Sequence, residues 1–351
     1  MHGNLSEHRY SQAEITEAFS AVVSPSGDSH EVISRIHLAT GIEHRNLALP
    51  LEQYAVLSGF GEANDAFIRI ALDLGEAAIK AALAEAGLAA TDVDLVLATS
   101  VTGIATPSLD ARLIPRVGLR PDVKRLPIFG LGCVAGAAGL ARINDYLVGH
   151  PDEIALLLSV ELCSLTVQRD DATMPNIVAS GLFGDGAAAV VLVGEQRAAR
   201  LGLRGPHVIA SRSRMYPGTE RTMGWDISER GFQVVLSAGV GSVISQYLRH
   251  DVDAFLKEHQ LTSPEIAAWI CHPGGPRVLQ AIESTLYLTK GELDVTWRSL
   301  AEIGNLSSAS VLHVLRDTMT GRGVDVPAVG SSGLVMAMGP GFCAELVLLQ
   351  W

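Results

Sequence analysis

Three side chains in this sequence are of the types that acyl transfer uses: Cys133 in GLGCVAGAAG, His272 in HPGGP and Asn305 in GNLSS. Cys133 lies between an apolar run and a stretch of small residues that predicts a helix over about 134–148. A helix start favours negative charge through its free N–H groups and its dipole, which predicts a lowered thiol pKa and a nucleophile. His272 follows a strand-like run and sits on a turn fixed by Pro273, Gly274, Gly275 and Pro276, where α/β sheets gather their sites. Asn305 stands where a helix begins, as an N-cap or as an amide donor to an oxyanion. Each residue also has a plain structural reading: a small buried thiol, a loop histidine, a cap. Together they supply nucleophile, proton-handling base and oxyanion donor. The order Cys, His, Asn is also that of papain, so residue types alone leave a hydrolase open. The spacing Gly130-x-Gly132-x-x-x-Gly136 does not match a dinucleotide loop.

The elements that must position these residues alternate. The stripe Phe67, Ile70, Leu74, Ala78 and Ala81 predicts a helix over 65–87 that stops at Gly87. Short apolar runs at 93–99, 126–129, 154–160 and 187–193 predict buried strands. After a charged, turn-rich break at 195–231 the same grammar returns. It gives a helix at 241–258, a strand at 267–270, a helix at 277–287, another opening at 304–310, and two strands around Gly339, Pro340 and Gly341. Strands alternating with helices predict an α/β chain with mostly parallel, mixed sheets. The boundary is placed at about 205, so 1–205 carries Cys133 and 206–351 carries His272 and Asn305. Residues 1–60 are mixed in character.

Composition narrows the classes. The 351 residues hold 26 Lys and Arg against 38 Asp and Glu, a net charge of −12 with no basic cluster, which argues against nucleic acid and anionic membrane surfaces. At 48% apolar and 18% charged, the chain has enough to bury a large core. The four cysteines have neither disulfide-framework nor metal-site spacing, so no metal is expected. No stretch reads as a signal peptide or a membrane span. A soluble, cytoplasmic protein is expected, with a C₂ pair as the commonest oligomer.

The segments GLGCVAGAAGL, GLFGDGAAAVVLVG, HPGGPRVL, GNLSSASVL and MGPGF together resemble the type III polyketide synthases, the chalcone synthase superfamily, over nearly the whole chain. VELCSLT (160–166) and MGWDIS (223–228) resemble the bacterial branch, in particular enzymes that make alkylpyrones from fatty acyl starters. The resemblance implies a thiolase-like fold of two similar halves in αβαβα layers, a homodimer, acyl-CoA and malonyl-CoA as substrates, and no cofactor. It implies that Cys133 takes the starter acyl group, paired as thiolate with a His272 imidazolium. It implies that His272 and Asn305 hold the malonyl thioester carbonyl during decarboxylation, before a Claisen condensation. Phe183 would gate the cavity, with an aliphatic residue such as Val234 opposite it in place of a second aromatic. Cys163 and Thr166 would line the cavity. Gly274, Gly275, Gly339 and Pro340 would border the substrate, Thr106 would reach the neighbouring subunit's cavity, and Arg35 would meet coenzyme A phosphate. Two alternatives share these residues: a single-round ketoacyl carrier-protein synthase III-like enzyme and the Cys/His/Asn hydrolase. A binding or scaffold protein on an inherited fold is the non-enzymatic alternative.

Overall fold

The computed structural model describes residues 1–351. Its strands are β1 (His2–Leu5), β2 (His8–Ser11), β3 (His44–Leu47), β4 (Leu95–Thr99), β5 (Lys124–Ile128), β6 (Ile154–Leu162), β7 (Asp185–Val193), β8 (His207–Met215), β9 (Met223–Ser228), β10 (Gly231–Leu236), β11 (Ile266–Cys271), β12 (Ser332–Gly339) and β13 (Cys343–Gln350). Two sheets dominate, in the orders β1-β7-β6-β4-β5 and β11-β12-β13-β8. The pairs β2–β3 and β9–β10 stand apart from them.

The sheets are mixed, and parallel pairing is less common than the strand–helix alternation predicts. It is confined to β4–β5, β4–β6 and β11–β12. The pairs β6–β7, β1–β7, β12–β13 and β8–β13 are antiparallel. The cause lies in burial: every residue of β6 and β4 is buried, and a run buried on both faces reads the same in either direction.

Helices make the other layers. Phe60–Ala86 buries Phe67, Ala71, Leu74, Ala78 and Ile79 at helical spacing against the first sheet, and ends at Gly87 with φ 66°, a left-handed cap that suits glycine. Each large side chain on that face contributes roughly 1.5–3 kcal/mol. Val240–Glu258 and Pro276–Leu286 cover the outer face of the second sheet. Between the sheets run Ala135–Gly149 and Ser310–Thr320, whose side chains share one apolar cluster with both sheets. That cluster draws residues from either side of position 205. The layers are those of a thiolase-like fold.

The two central helices start side by side. A Cβ on Gly136 would lie 2.2 Å from the Ser308 carbonyl oxygen, so only glycine lets the backbones approach this closely. The small residues after Cys133 are therefore a packing requirement of the crossing.

The break expected at 195–231 is ordered. Its SRSR stretch is part of β8, an edge strand that pairs with β13 through its backbone, and residues 223–236 form the β9–β10 hairpin. No residue of β8 is fully buried, and an edge strand of this kind keeps a polar sequence.

Candidate active site

The starts of the two central helices and the end of β11 define the site. Cys133 lies in a helical turn, Gly132–Val134, just ahead of Ala135–Gly149. Gly132 has φ 56°, and a Cβ there would strike Pro340 at 2.5 Å. A Cβ on Gly339 would lie 3.3 Å from the Cys133 nitrogen, so the β12–β13 turn lies across the cysteine backbone.

Asn305 is buried and precedes the second central helix. Its backbone bridges Phe183: Asn305 N–H donates to Leu182 O at 3.0 Å, and Gly184 N–H donates to Asn305 O at 2.9 Å. Its side-chain Oδ1 accepts from Ser307 N–H at 2.8 Å, which turns the NH₂ donor the other way. Ser307 Oγ in turn lies 3.7 Å from Cys133 Sγ, a thiol–hydroxyl hydrogen bond. His272 prolongs β11, with its N–H donating to Met336 O at 2.8 Å. It is only 5% exposed, yet neither ring nitrogen has a hydrogen-bond partner in the protein. Buried polar groups are ordinarily paired, so an imidazole held this way points to a substrate or reaction role.

A narrow cavity of about 40 Å³ surrounds Cys133. Of the residues singled out from sequence, Cys133, Cys163, Phe183, Val234 and Pro340 line it. Val234 faces it from β10, and its cross-strand partner Trp225 lines it too. Val101, Thr102, Gly132, Met223, Gly224, Trp225 and Ser307 line it as well and were not singled out as site residues; for Met223, Gly224 and Trp225 the segment MGWDIS was the signal. Thr166 lines a second chamber of about 370 Å³, which Thr102 shares with the first. His272, Asn305, Gly274, Gly275 and Gly339 do not line the narrow cavity. Thr106 and Arg35 are exposed and line neither space.

Beneath the site lies Glu161, fully buried. Its carboxyl accepts from Ser308 Oγ, from Thr102 Oγ1 at 3.0 Å, from Val101 N–H at 3.1 Å and from Ser100 Oγ at 3.3 Å. Burial still holds its pKa above the usual carboxylate value. The electrostatics at Cys133 run opposite to the sequence expectation. Burial pushes the thiol up to about 12, with Glu161 adding to the rise and the Ser307 hydroxyl opposing it. Burial likewise drives His272 down to about 3. Desolvation therefore outweighs the helix start, and each group alone favours its neutral form.

All four cysteines are unpaired and buried, and no group of three or more His, Cys, Asp or Glu is arranged to hold a metal. No helix is long and apolar enough to cross a membrane.

A buried thiol at a helix start, a buried imidazole without a partner at the end of β11 and a buried carboxamide ahead of the second central helix are the residue types of a condensing acyltransferase on a thiolase-like fold. Residues 36–196 match the N-terminal domain of chalcone and stilbene synthases and residues 207–351 match their C-terminal domain, so the chain belongs to that family. The chain is 53% identical to a 1,3,6,8-tetrahydroxynaphthalene synthase of Streptomyces peucetius subsp. caesius, over all of this chain and 92% of that protein. It is 32% identical to a phloroglucinol synthase of Pseudomonas fluorescens, over 89% of this chain and 87% of that protein. The crystal structure of 1,3,6,8-tetrahydroxynaphthalene synthase from Streptomyces coelicolor A3(2), a bacterial type III polyketide synthase, superposes with a TM-score of 0.91 at 31% identity, covering 99% of this chain and 97% of that one. The chain is thus a type III polyketide synthase that carries out decarboxylative Claisen condensation on coenzyme A thioesters, without a cofactor. The expected nearness to alkylpyrone-forming enzymes is not supported, since these relatives carry the names of hydroxylated aromatic products.

Proposed function

We propose that this synthase builds a polyhydroxylated aromatic ring system, of the tetrahydroxynaphthalene kind, from malonyl-CoA alone. The observation that carries this reading is the size of the space at Cys133. At about 40 Å³ it holds a few water-sized groups, each needing roughly 10–15 Å³. A malonyl- or acetyl-sized acyl group fits there; a long alkyl chain does not. Growth must then proceed into the adjoining chamber, whose volume falls within the range of ordinary ligand pockets, roughly 300–1,000 Å³. That chamber mixes Ser164, Thr166, Gln168 and Asn64 with apolar residues, a lining that suits a chain of alternating carbonyls. A naphthalene skeleton divides evenly into the two-carbon units that malonyl decarboxylation leaves, so no other starter is needed.

In this reading Cys133 Sγ attacks the starter thioester and releases coenzyme A. His272 and Asn305 donate hydrogen bonds to the malonyl thioester oxygen as carbon dioxide leaves, and the enolate attacks the Cys133 thioester. A thiolate–imidazolium pair has to overcome the burial that holds both groups neutral, so the imidazole acts first as the base for the thiol. Phe183 and Trp225 narrow the entrance. The test is mass spectrometry of products from malonyl-CoA alone. A hydroxylated naphthalene or its oxidation product is expected; failure to form any product without a second acyl-CoA overturns the reading.

The alkylpyrone reading keeps one supporting observation: Leu57, Leu165 and Val167 give the chamber an apolar side. It becomes the better account if only long acyl-CoA starters yield product. The chain is also proposed to dimerise through the free edge of β5, where Leu126 and nearby Phe129 and Ile104 are exposed apolar residues beside Thr106. Sedimentation should give twice the chain mass, and Leu126→Asp should lower it.

A further inference from the structure

A chain of hydroxyls leads from the wall of the larger chamber into the protein. Tyr54 and Ser164 line that chamber, and Asp185 lies behind them, fully buried. Tyr54 Oη accepts from Leu49 N–H at 3.1 Å, which leaves its own proton for Ser164 Oγ at 2.5 Å. Ser164 Oγ donates to Asp185 Oδ2. Asp185 also accepts from Ser164 N–H at 2.8 Å and from Ala48 N–H at 2.5 Å. The protons therefore all point the same way, from chamber to carboxylate. The guanidinium of buried Arg45 is the cation facing Asp185, and burial brings the carboxyl to about 6, a proton acceptor matched to neutral solution.

The position of this chain matters as much as its order. Cys163, the residue before Ser164, lines the Cys133 cavity, and Thr102 lines both spaces. A polyketone growing away from Cys133 passes the wall that Tyr54 and Ser164 form. The roles given to Cys133, His272 and Asn305 do not use these hydroxyls.

We infer that Tyr54, Ser164 and Asp185 form a proton relay that enolises a methylene of the polyketone chain and so directs its aldol closure. This rests on the reading that the product is a malonyl-derived aromatic. The methylene between two carbonyls gives its proton to Tyr54 Oη as the Tyr54 proton moves to Ser164 Oγ and the Ser164 proton to Asp185. The electron pair left on carbon attacks a carbonyl carbon of the same chain, forming one C–C bond and an alkoxide. The alkoxide takes the proton back along the same path, so the relay ends as it began; water is lost later as the ring aromatises. Without the relay, an enol oxygen closes on the thioester carbonyl and gives a pyrone.

The test reads the ratio of aromatic to pyrone among the products formed from malonyl-CoA, which does not depend on total turnover. Tyr54→Phe keeps the ring and removes the hydroxyl; Ser164→Ala cuts the path one step further in. Each should lower the ratio about tenfold or more. The wild-type protein in D₂O needs no variant to fold, and its ratio should fall about twofold because the moving protons are exchangeable. An unchanged ratio in D₂O, or in a Tyr54→Phe protein with a normal unfolding midpoint, overturns the relay. If the wild-type protein makes no aromatic product at all, the functional reading fails and the relay fails with it.

Discussion

Replacing Asn305 tests the oxyanion role at the level of a single donor. In the structure its Oδ1 is occupied by Ser307 N–H, so the NH₂ is the end available to a developing enolate. Asn305→Ala deletes that donor, and the loss of one preorganised donor lowers turnover by about 10²–10³, roughly 3–4 kcal/mol. Asn305→Asp separates the donor from its shape. The carboxylate can still accept from Ser307 N–H, but an ionised oxygen about 4 Å from the enolate adds roughly 4 kcal/mol of repulsion at an effective dielectric of 20. A protonated carboxyl, by contrast, can donate. Burial should raise the pKa of the new carboxyl as it does that of Glu161 nearby. The activity of Asn305→Asp relative to wild type should therefore rise as pH falls, while that of Asn305→Ala should not. The assay is acetyl-CoA formed from malonyl-CoA in a Cys133→Gln background, which isolates decarboxylation from chain growth. Stranding Ser307 N–H costs about 1–3 kcal/mol of stability, so rates are read well below the unfolding midpoint. A decrease in Asn305→Ala smaller than about threefold, under about 1 kcal/mol, would refute the donor role.

Cys133→Ala should abolish the acyl-enzyme seen by intact-protein mass spectrometry and all condensation, while Cys133→Gln should still decarboxylate malonyl-CoA; an acyl adduct in the alanine variant would move the nucleophile elsewhere. Trp225→Ala should widen the cavity at Cys133 and raise kcat/KM for medium-chain acyl-CoA starters about tenfold or more, since each accommodated methylene contributes about 1–3 kcal/mol; unchanged selectivity would show that another side chain sets the limit. His37, His272 and His313 are all driven by burial from 6.5 to about 3. Between those values the unfolded chain binds more protons than the folded one, so their stability contribution is complete above pH 6.5 and is lost as pH falls toward 3. At pH 5 each should cost about 2 kcal/mol, so the urea midpoint should drop clearly from pH 7 to pH 5, and His313→Gln should flatten that drop; equal midpoints would refute it.

How far the sequence exposes this site depends on whether a feature is local. Cys133 was legible because strand, glycines, cysteine and small-residue helix are consecutive, and the fold does place it ahead of Ala135–Gly149. β4, β6 and β7 were legible as uninterrupted apolar runs. The β9–β10 hairpin was not, because no residue of β9 is fully buried and Asp226, Ser228 and Gln233 give the segment the polar character of a loop. Nor could sequence pair Glu161 with Ser308 and Thr102, which are brought together by the pairing of β4 with β6 and by the packing of the Ser307–Ala309 turn on β6, not by any spacing. The thiol pKa shows why that omission has consequences. A helix start lowers a pKa through a local effect worth at most about 2 kcal/mol. Burial moves the thiol from 9.0 to about 12, which corresponds to about 4 kcal/mol. The larger quantity belongs to the assembled core, so a local motif marks a candidate nucleophile but not its ionisation. Activation of so deeply buried a thiol must then come from a base, and in the proposed reading that base is His272, a buried imidazole neither of whose ring nitrogens has a partner in the protein.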